Sequence, residues 1–139
     1  MTRIGKQRLM TSTPPTATVL IVEDHEDSRE MYAEFLRLQF NVMEAGDGVG
    51  ALQLMQQRAP DIVVTDLALP RMDGFELVQR MRADERLRHV PVIALSGFSG
   101  AEYESRARAA GLNVVLQKPC LPDDLARAVE SASRNRKDG

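Results

Sequence analysis

The 139-residue sequence has no tryptophan, a single cysteine and only 4% aromatic residues. One thiol, Cys120, cannot make an intrachain disulfide, and no signal-peptide pattern precedes the apolar segments, so a reducing, cytoplasmic setting is expected. No apolar stretch approaches the roughly 18 residues that a membrane-crossing helix needs, which leaves no expected membrane partner. Basic charge is also scarce where it would matter for nucleic acid. Arg3, Lys6 and Arg8 lie in the first 17 residues, and Arg134, Arg136 and Lys137 lie in the last six. The net charge is −2, so the intervening body is acidic and lacks the cationic face that DNA binding requires. What is present is 43% apolar and 27% charged residues, enough for one domain with a real core.

Three zones follow. Residues 1–17, rich in Thr, Ser and Pro, read as a flexible basic leader. Residues 18–133 are the folded domain, and 134–139 read as a flexible basic tail. With six residues after 133, no DNA-binding output domain is expected there. Short apolar runs at Val19–Val22, Ile62–Thr65, Val92–Leu95 and Val114–Leu116 have the β-branched content of strands buried on both faces. Phe40–Ala45 is a weaker strand. Between them lie helical patterns: Met31, Tyr32, Phe35, Leu36 and Leu38; Val49, Leu52 and Met55; Phe75, Leu77, Val78 and Met81; a thinly apolar, Ala-rich helix over 101–110; and Leu125, Ala126, Val129 and Ala132. Gly111 is expected to cap the fourth helix and Pro122 to open the fifth. Alternating strands and helices with right-handed crossovers predict an α/β fold, a doubly wound five-stranded parallel sheet with helices on both faces.

In such sheets chemistry sits beyond the carboxyl ends of the strands. Strand 1 ends in Glu23-Asp24, strand 3 in Asp66, strand 4 in Ser96 and strand 5 in Lys118-Pro119. Three converging carboxylates repel one another, by about 4 kcal/mol per pair at 4 Å and an effective dielectric near 20. Lys118 is the one base expected on that edge. A hard divalent cation, Mg²⁺ or Mn²⁺, resolves the conflict with oxygen ligands alone. Asp66 would then be placed to attack a phosphoryl group, with Lys118 and Ser96 neutralising its oxygens.

These motifs resemble the receiver domain of two-component response regulators. The matching pieces are Val19–Asp24, Val63–Gly74, Ile93–Ser96 and Lys118-Pro119. The resemblance implies strand order 2-1-3-4-5, the flavodoxin-like order, and a phosphoacceptor role for Asp66. It further implies Mg²⁺ held by Asp24, Asp66 and the Ala68 backbone carbonyl, with Glu23 acting through water. Ser96 and Lys118 would contact the phosphoryl group, and Lys118-Pro119 would be cis. The implied donors are a sensor histidine kinase or a histidine phosphotransfer protein, with a downstream protein as receiver of the signal; the domain is a switch and not an enzyme. A Mg²⁺-dependent aspartyl-phosphate phosphatase, or a scaffold that is never phosphorylated, are the alternatives. The phosphatase would ordinarily carry an acid where Ala68 stands.

Two departures bear on the output. Val115 replaces the family's usual aromatic residue three positions before the lysine, and Cys120 replaces a frequent Phe. Both are expected on the face formed by helix 4, strand 5 and helix 5, making the output surface atypical; a phosphorelay shuttle is one reading. Tyr103 or Phe98 would be the nearest substitute aromatics, with packing as their default role. His25 and His89 read as surface loop residues, since Mg²⁺ prefers oxygen. Asp73-Gly74 reads as the turn into helix 3.

Overall fold

The computed structural model describes residues 16–97 and 100–138. The leader expected over 1–17 therefore lies outside the described residues except for its last two, as does Phe98. Five strands, β1 (Thr18–Val22), β2 (Asn41–Ala45), β3 (Ile62–Asp66), β4 (Val92–Ser96) and β5 (Val114–Gln117), alternate with five helices. The helices are α1 (Glu26–Leu36), α2 (Gly48–Gln57), α3 (Gly74–Ala83), α4 (Ala101–Ala109) and α5 (Pro122–Asp138). All strand pairs are parallel and the order is β2-β1-β3-β4-β5.

Alternate residues of the central strands face opposite layers, as the two-residue strand period requires. Leu20, Val22, Val63 and Ala94 pack with Met55, Leu77, Val78 and Met81, under α2 and α3. Val19, Ile21, Ile62, Val64, Ile93 and Leu95 pack with Tyr32, Leu36, Leu125 and Val129, under α1 and α5. Covering both faces is why these strands read as unbroken apolar runs.

The helix faces differ from the sequence reading at three points. Met31 on α1 and Val49 on α2 are each 46% exposed, and Leu38 lies beyond the end of α1 and is 77% exposed. One apolar residue beside a helical stripe fits either edge of it, and the helix end decides the rest. Helix α5 runs to Asp138, past the boundary drawn at 133, because no glycine or proline interrupts the chain before Gly139.

Helix α4 buries only Ala107, in keeping with its thin apolar content. Tyr103 meets the Phe75 ring of α3 edge-on, with centroids 5.5 Å apart, and the Arg106 guanidinium lies 4.0 Å from the Phe75 centroid. At the far edge of the sheet Arg82 ties two loops together. Its guanidinium donates to the carbonyls of Val90 at 2.7 Å and Gly111 at 2.8 Å, and to Asn113 Oδ1 at 3.0 Å. Gly111, which ends the α4 turn, has φ 100°, a conformation that glycine adopts without strain.

Candidate functional site

The parallel strands deliver their carboxyl ends to one edge, and the register aligns them. Val22 pairs with Thr65, Asp66 with Leu95, and Ser96 with Gln117. Glu23, one residue beyond β1, is 1% exposed, and its N–H donates to the Ala45 carbonyl of β2 at 3.1 Å. Its carboxylate accepts the His25 N–H at Oε2, 3.0 Å, and the Lys118 ammonium at Oε1, 3.1 Å. Asp66, 5% exposed at the end of β3, accepts the Ala68 N–H at Oδ1, 2.9 Å, and Lys118 Nζ at Oδ2, 2.5 Å. The Lys118 N–H donates to the Ser96 carbonyl at 2.7 Å, which seats the β5 loop beside β4. Lys118-Pro119 is cis. Ser96 is 1% exposed at the terminus of β4.

The segment after Asp66 is held as tightly. Leu67 donates to the Leu95 carbonyl at 3.0 Å, and Gly74 donates to the Leu67 carbonyl at 3.0 Å. Asp73 caps α3 by accepting the Glu76 N–H at 2.9 Å. Asp73-Gly74 is thus the turn into the helix, and the glycine supplies a close approach. Arg71 in this loop has φ 66° and pairs with Asp47, the cap of α2, at 2.9 Å.

One ammonium bridges the two buried carboxylates. Burial pushes the Glu23 carboxyl above its ordinary range, and the Asp66 charge adds to the rise; the His25 N–H and Lys118 oppose it without cancelling it. Burial also disfavours the Lys118 charge, but hydrogen bonds to Asp66 and Glu23 outweigh that and raise its pKa. The sign for stability follows from linkage. The contribution of Glu23 is complete below its unfolded value near 4.5 and is lost as pH rises through its raised folded pKa. Without divalent cation, unfolding free energy is therefore expected to gain a component on acidification toward 4.5 that Glu23→Gln lacks. Urea titrations across that window check this, and identical pH slopes in the two proteins would remove it.

Glu23, Asp24 and Asp66 each offer an oxygen, and these atoms lie within 4.8 Å of one another. Asp24 is exposed while its two neighbours are buried, so the cluster opens on one side. Two buried carboxylates and a third at the mouth, against a single lysine, leave excess negative charge in a low-dielectric corner. An all-oxygen donor set with an open side fits a hard divalent cation that keeps several waters.

Of the residues singled out from sequence, Glu23, Asp24, Asp66 and Lys118 come together, with Ser96 buried at the adjoining strand end and Ala68 exposed two residues beyond Asp66. Val115 and Cys120 do not share one packing face. Val115 packs toward α3 and α4, whereas Cys120 packs toward α1 and α5, where its carbonyl accepts the Tyr32 hydroxyl at 2.7 Å. The strand end at Gln117 lies between them. Burial pushes the Cys120 thiol up, and Asp124 adds to this, so it is a poor nucleophile. Tyr103 is engaged with Phe75. Arg29 went unremarked in the sequence. It donates to the Glu23 carbonyl at 3.0 Å and to Glu44 Oε1 at 3.1 Å. The available signal was a lone cation one turn into a helix whose start is otherwise acidic.

A five-stranded sheet in this order with buried carboxylates and a lysine at its carboxyl edge defines a receiver domain. The chain belongs to the response regulator receiver domain family, whose family model matches residues 19–130. It is similar to the polar-differentiation response regulator DivK of Brucella ovis, 32% identical over 105 residues, which are 75% of this chain and 85% of that protein. Histidine kinase P4 of Formosa agariphila is 31% identical over 120 residues, 86% of this chain but 9% of that much longer protein. Among solved structures, the chemotaxis response regulator CheY4 of Vibrio cholerae superposes with a TM-score of 0.80 at 29% identity, covering 84% of this chain and 98% of that one. A putative response regulator of Chloroflexus aurantiacus gives 0.80 at 30% identity, covering 87% and 99%. Receiver domains are signalling switches of two-component systems that bind Mg²⁺ at an acidic pocket and work with histidine kinases or phosphotransfer proteins. No helix among the described residues is long and apolar enough to cross a membrane.

Proposed function

We propose that Asp66 accepts a phosphoryl group from a phosphohistidine, carried by a sensor histidine kinase or a histidine phosphotransfer protein in the cytoplasm. The observation that carries this reading is the lysine ammonium shared between Asp66 and Glu23 at the convergence of three strand ends. An Asp66 carboxylate oxygen attacks phosphorus. The phosphorus–nitrogen bond breaks, and the imidazole leaves with the electron pair and takes up a proton. Lys118, released from its contact with Asp66, follows a phosphoryl oxygen, and the Ser96 hydroxyl hydrogen-bonds another. Asp24, Asp66 and the Ala68 carbonyl are the residues that would hold Mg²⁺ or Mn²⁺, with Glu23 acting through water. When bound, the cation supplies charge neutralisation for the equatorial oxygens.

Signalling then passes to a downstream protein or onward as the phosphoryl group itself. With Val115 in place of an aromatic ring, a large ring movement next to Ser96 is absent from the response. Incubation with acetyl phosphate and Mg²⁺, followed by intact mass measurement, is expected to add one phosphoryl group to the wild type and none to Asp66→Asn. Equal labelling of the two, or turnover of a generic phosphomonoester by the wild type, would replace this reading.

A further inference from the structure

The acidic loop between β1 and α1 is only three residues long, and each of its peptide units is held by a different partner. The Glu23 N–H is bound by Ala45 of β2, and the His25 N–H is bound by the Glu23 carboxylate. The peptide between them, which joins Glu23 to Asp24, has its carbonyl held by Arg29 Nη1 at 3.0 Å. We infer that Arg29 is the positioning residue of this pocket: its guanidinium sets the plane of the Glu23–Asp24 peptide and so aims the Asp24 carboxylate at Asp66. The inference rests on the cation-assisted function proposed above.

The geometry is that of a fork braced from behind. Arg29 Nε donates to Glu44 Oε1 at 3.1 Å, and Arg37 Nη2 holds the other Glu44 oxygen at 2.9 Å. Nη2 lies 3.9 Å from Glu26 Oε1. The Arg29 side chain is 18% exposed, unusual for an arginine on a first helical turn. Burial alone would raise the Glu44 pKa, but hydrogen bonds from Arg37 and Arg29 outweigh it and lower it, so Glu44 stays charged as the brace. Gly46 leaves room for the guanidinium. A Cβ there would stand 3.3 Å from Arg29 Nη1. A planar guanidinium reaches a carbonyl and a carboxylate at once, which the single ammonium of lysine does not reproduce.

Charge and geometry predict opposite outcomes, which makes the role testable. Removing a cation beside three acids should by itself tighten binding of a dication. Loss of aim should weaken it. Mg²⁺ alone, without any phosphodonor, is titrated calorimetrically into wild type, Arg29→Lys and Arg29→Met, with thermal unfolding measured in parallel. Arg29→Lys keeps the charge and is expected to raise the Mg²⁺ dissociation constant about 10-fold, the scale of a lost outer-shell partner. Arg29→Met is expected to bind more weakly than wild type despite the lost cation. A lower melting temperature with an unchanged dissociation constant in Arg29→Lys would reduce Arg29 to a structural brace and overturn the inference. A wild type that binds no Mg²⁺ would instead remove the cation-assisted reading of the pocket, and the role of Arg29 with it.

Discussion

Lys118→Met is expected to accept phosphoryl groups about 10²–10³-fold more slowly than the wild type, the cost of one preorganised donor at a developing negative charge. The lysine is the described cation that touches both buried carboxylates, at 3.1 Å on Glu23 and 2.5 Å on Asp66. Its loss leaves those carboxylates facing each other in a buried corner. Removing one partner of a buried pair costs about 3–5 kcal/mol, and because this side chain is partly exposed, about 2–3 kcal/mol is expected here. The Glu23 carboxyl, already raised by burial and by Asp66, is expected to rise further and to take up a proton nearer neutrality. Mg²⁺ should therefore stabilise the variant more than it stabilises the wild type. Initial labelling rates with acetyl phosphate, and urea unfolding with and without Mg²⁺, measure both effects. Wild-type labelling by a destabilised variant would limit the lysine to holding the fold.

Gly74→Ala is expected to damage fold and site together. A Cβ at this position would stand 2.7 Å from the Asp66 carbonyl oxygen and 2.8 Å from Leu67 Cα. Both are backbone atoms that cannot swing aside. The loop from Asp66 to Gly74 is pinned by the Leu67 N–H on Leu95 and the Gly74 N–H on Leu67, so relief requires moving Asp66 itself. Overpacking of this kind costs about 3 kcal/mol, the upper end of the usual range, because two of the three atoms met are backbone and only Leu67 Cδ2 could yield. The folded fraction should also label more slowly, since Asp66 has moved away from Lys118. Gly97 is the contrast. Among the described residues nothing lies within 4 Å of a Cβ built there, so Gly97→Ala should leave unfolding free energy nearly unchanged. Equal stability of the two alanine variants, by urea unfolding, would contradict the steric account.

The strands and the reactive edge were legible because they rest on strong local signals. Val19–Val22 and Ile62–Thr65 are unbroken apolar runs that stop at acids, and parallel topology sends all such stops to one edge. Helix faces were less legible at their margins. Met31 and Val49 sit beside true core positions, and periodicity cannot say on which side of the stripe a neighbouring residue falls. The targets of Arg29 and Arg82 were hard to read for a different reason. Each donates to backbone carbonyls, Glu23 for Arg29 and Val90 and Gly111 for Arg82, and a carbonyl that every residue carries leaves no trace of that contact in the sequence. Val115 and Cys120 were expected on one face, that of helix 4, strand 5 and helix 5, yet they pack against opposite layers of the sheet, because the strand that holds Val115 ends at Gln117 before Cys120.

Helix α4 encloses a single methyl-bearing side chain, Ala107, and adds the Tyr103 and Arg106 contacts on Phe75. A methyl group and an aromatic pair together amount to about 2 kcal/mol. That is a small part of the 5–15 kcal/mol typical of a whole domain. Detachment of this segment is therefore a low-cost excursion among the described helices, and its amides should exchange with solvent well before those of the central strands. Helix α4, which follows the strand end that carries Ser96, is thus a loosely hung panel on a rigid frame.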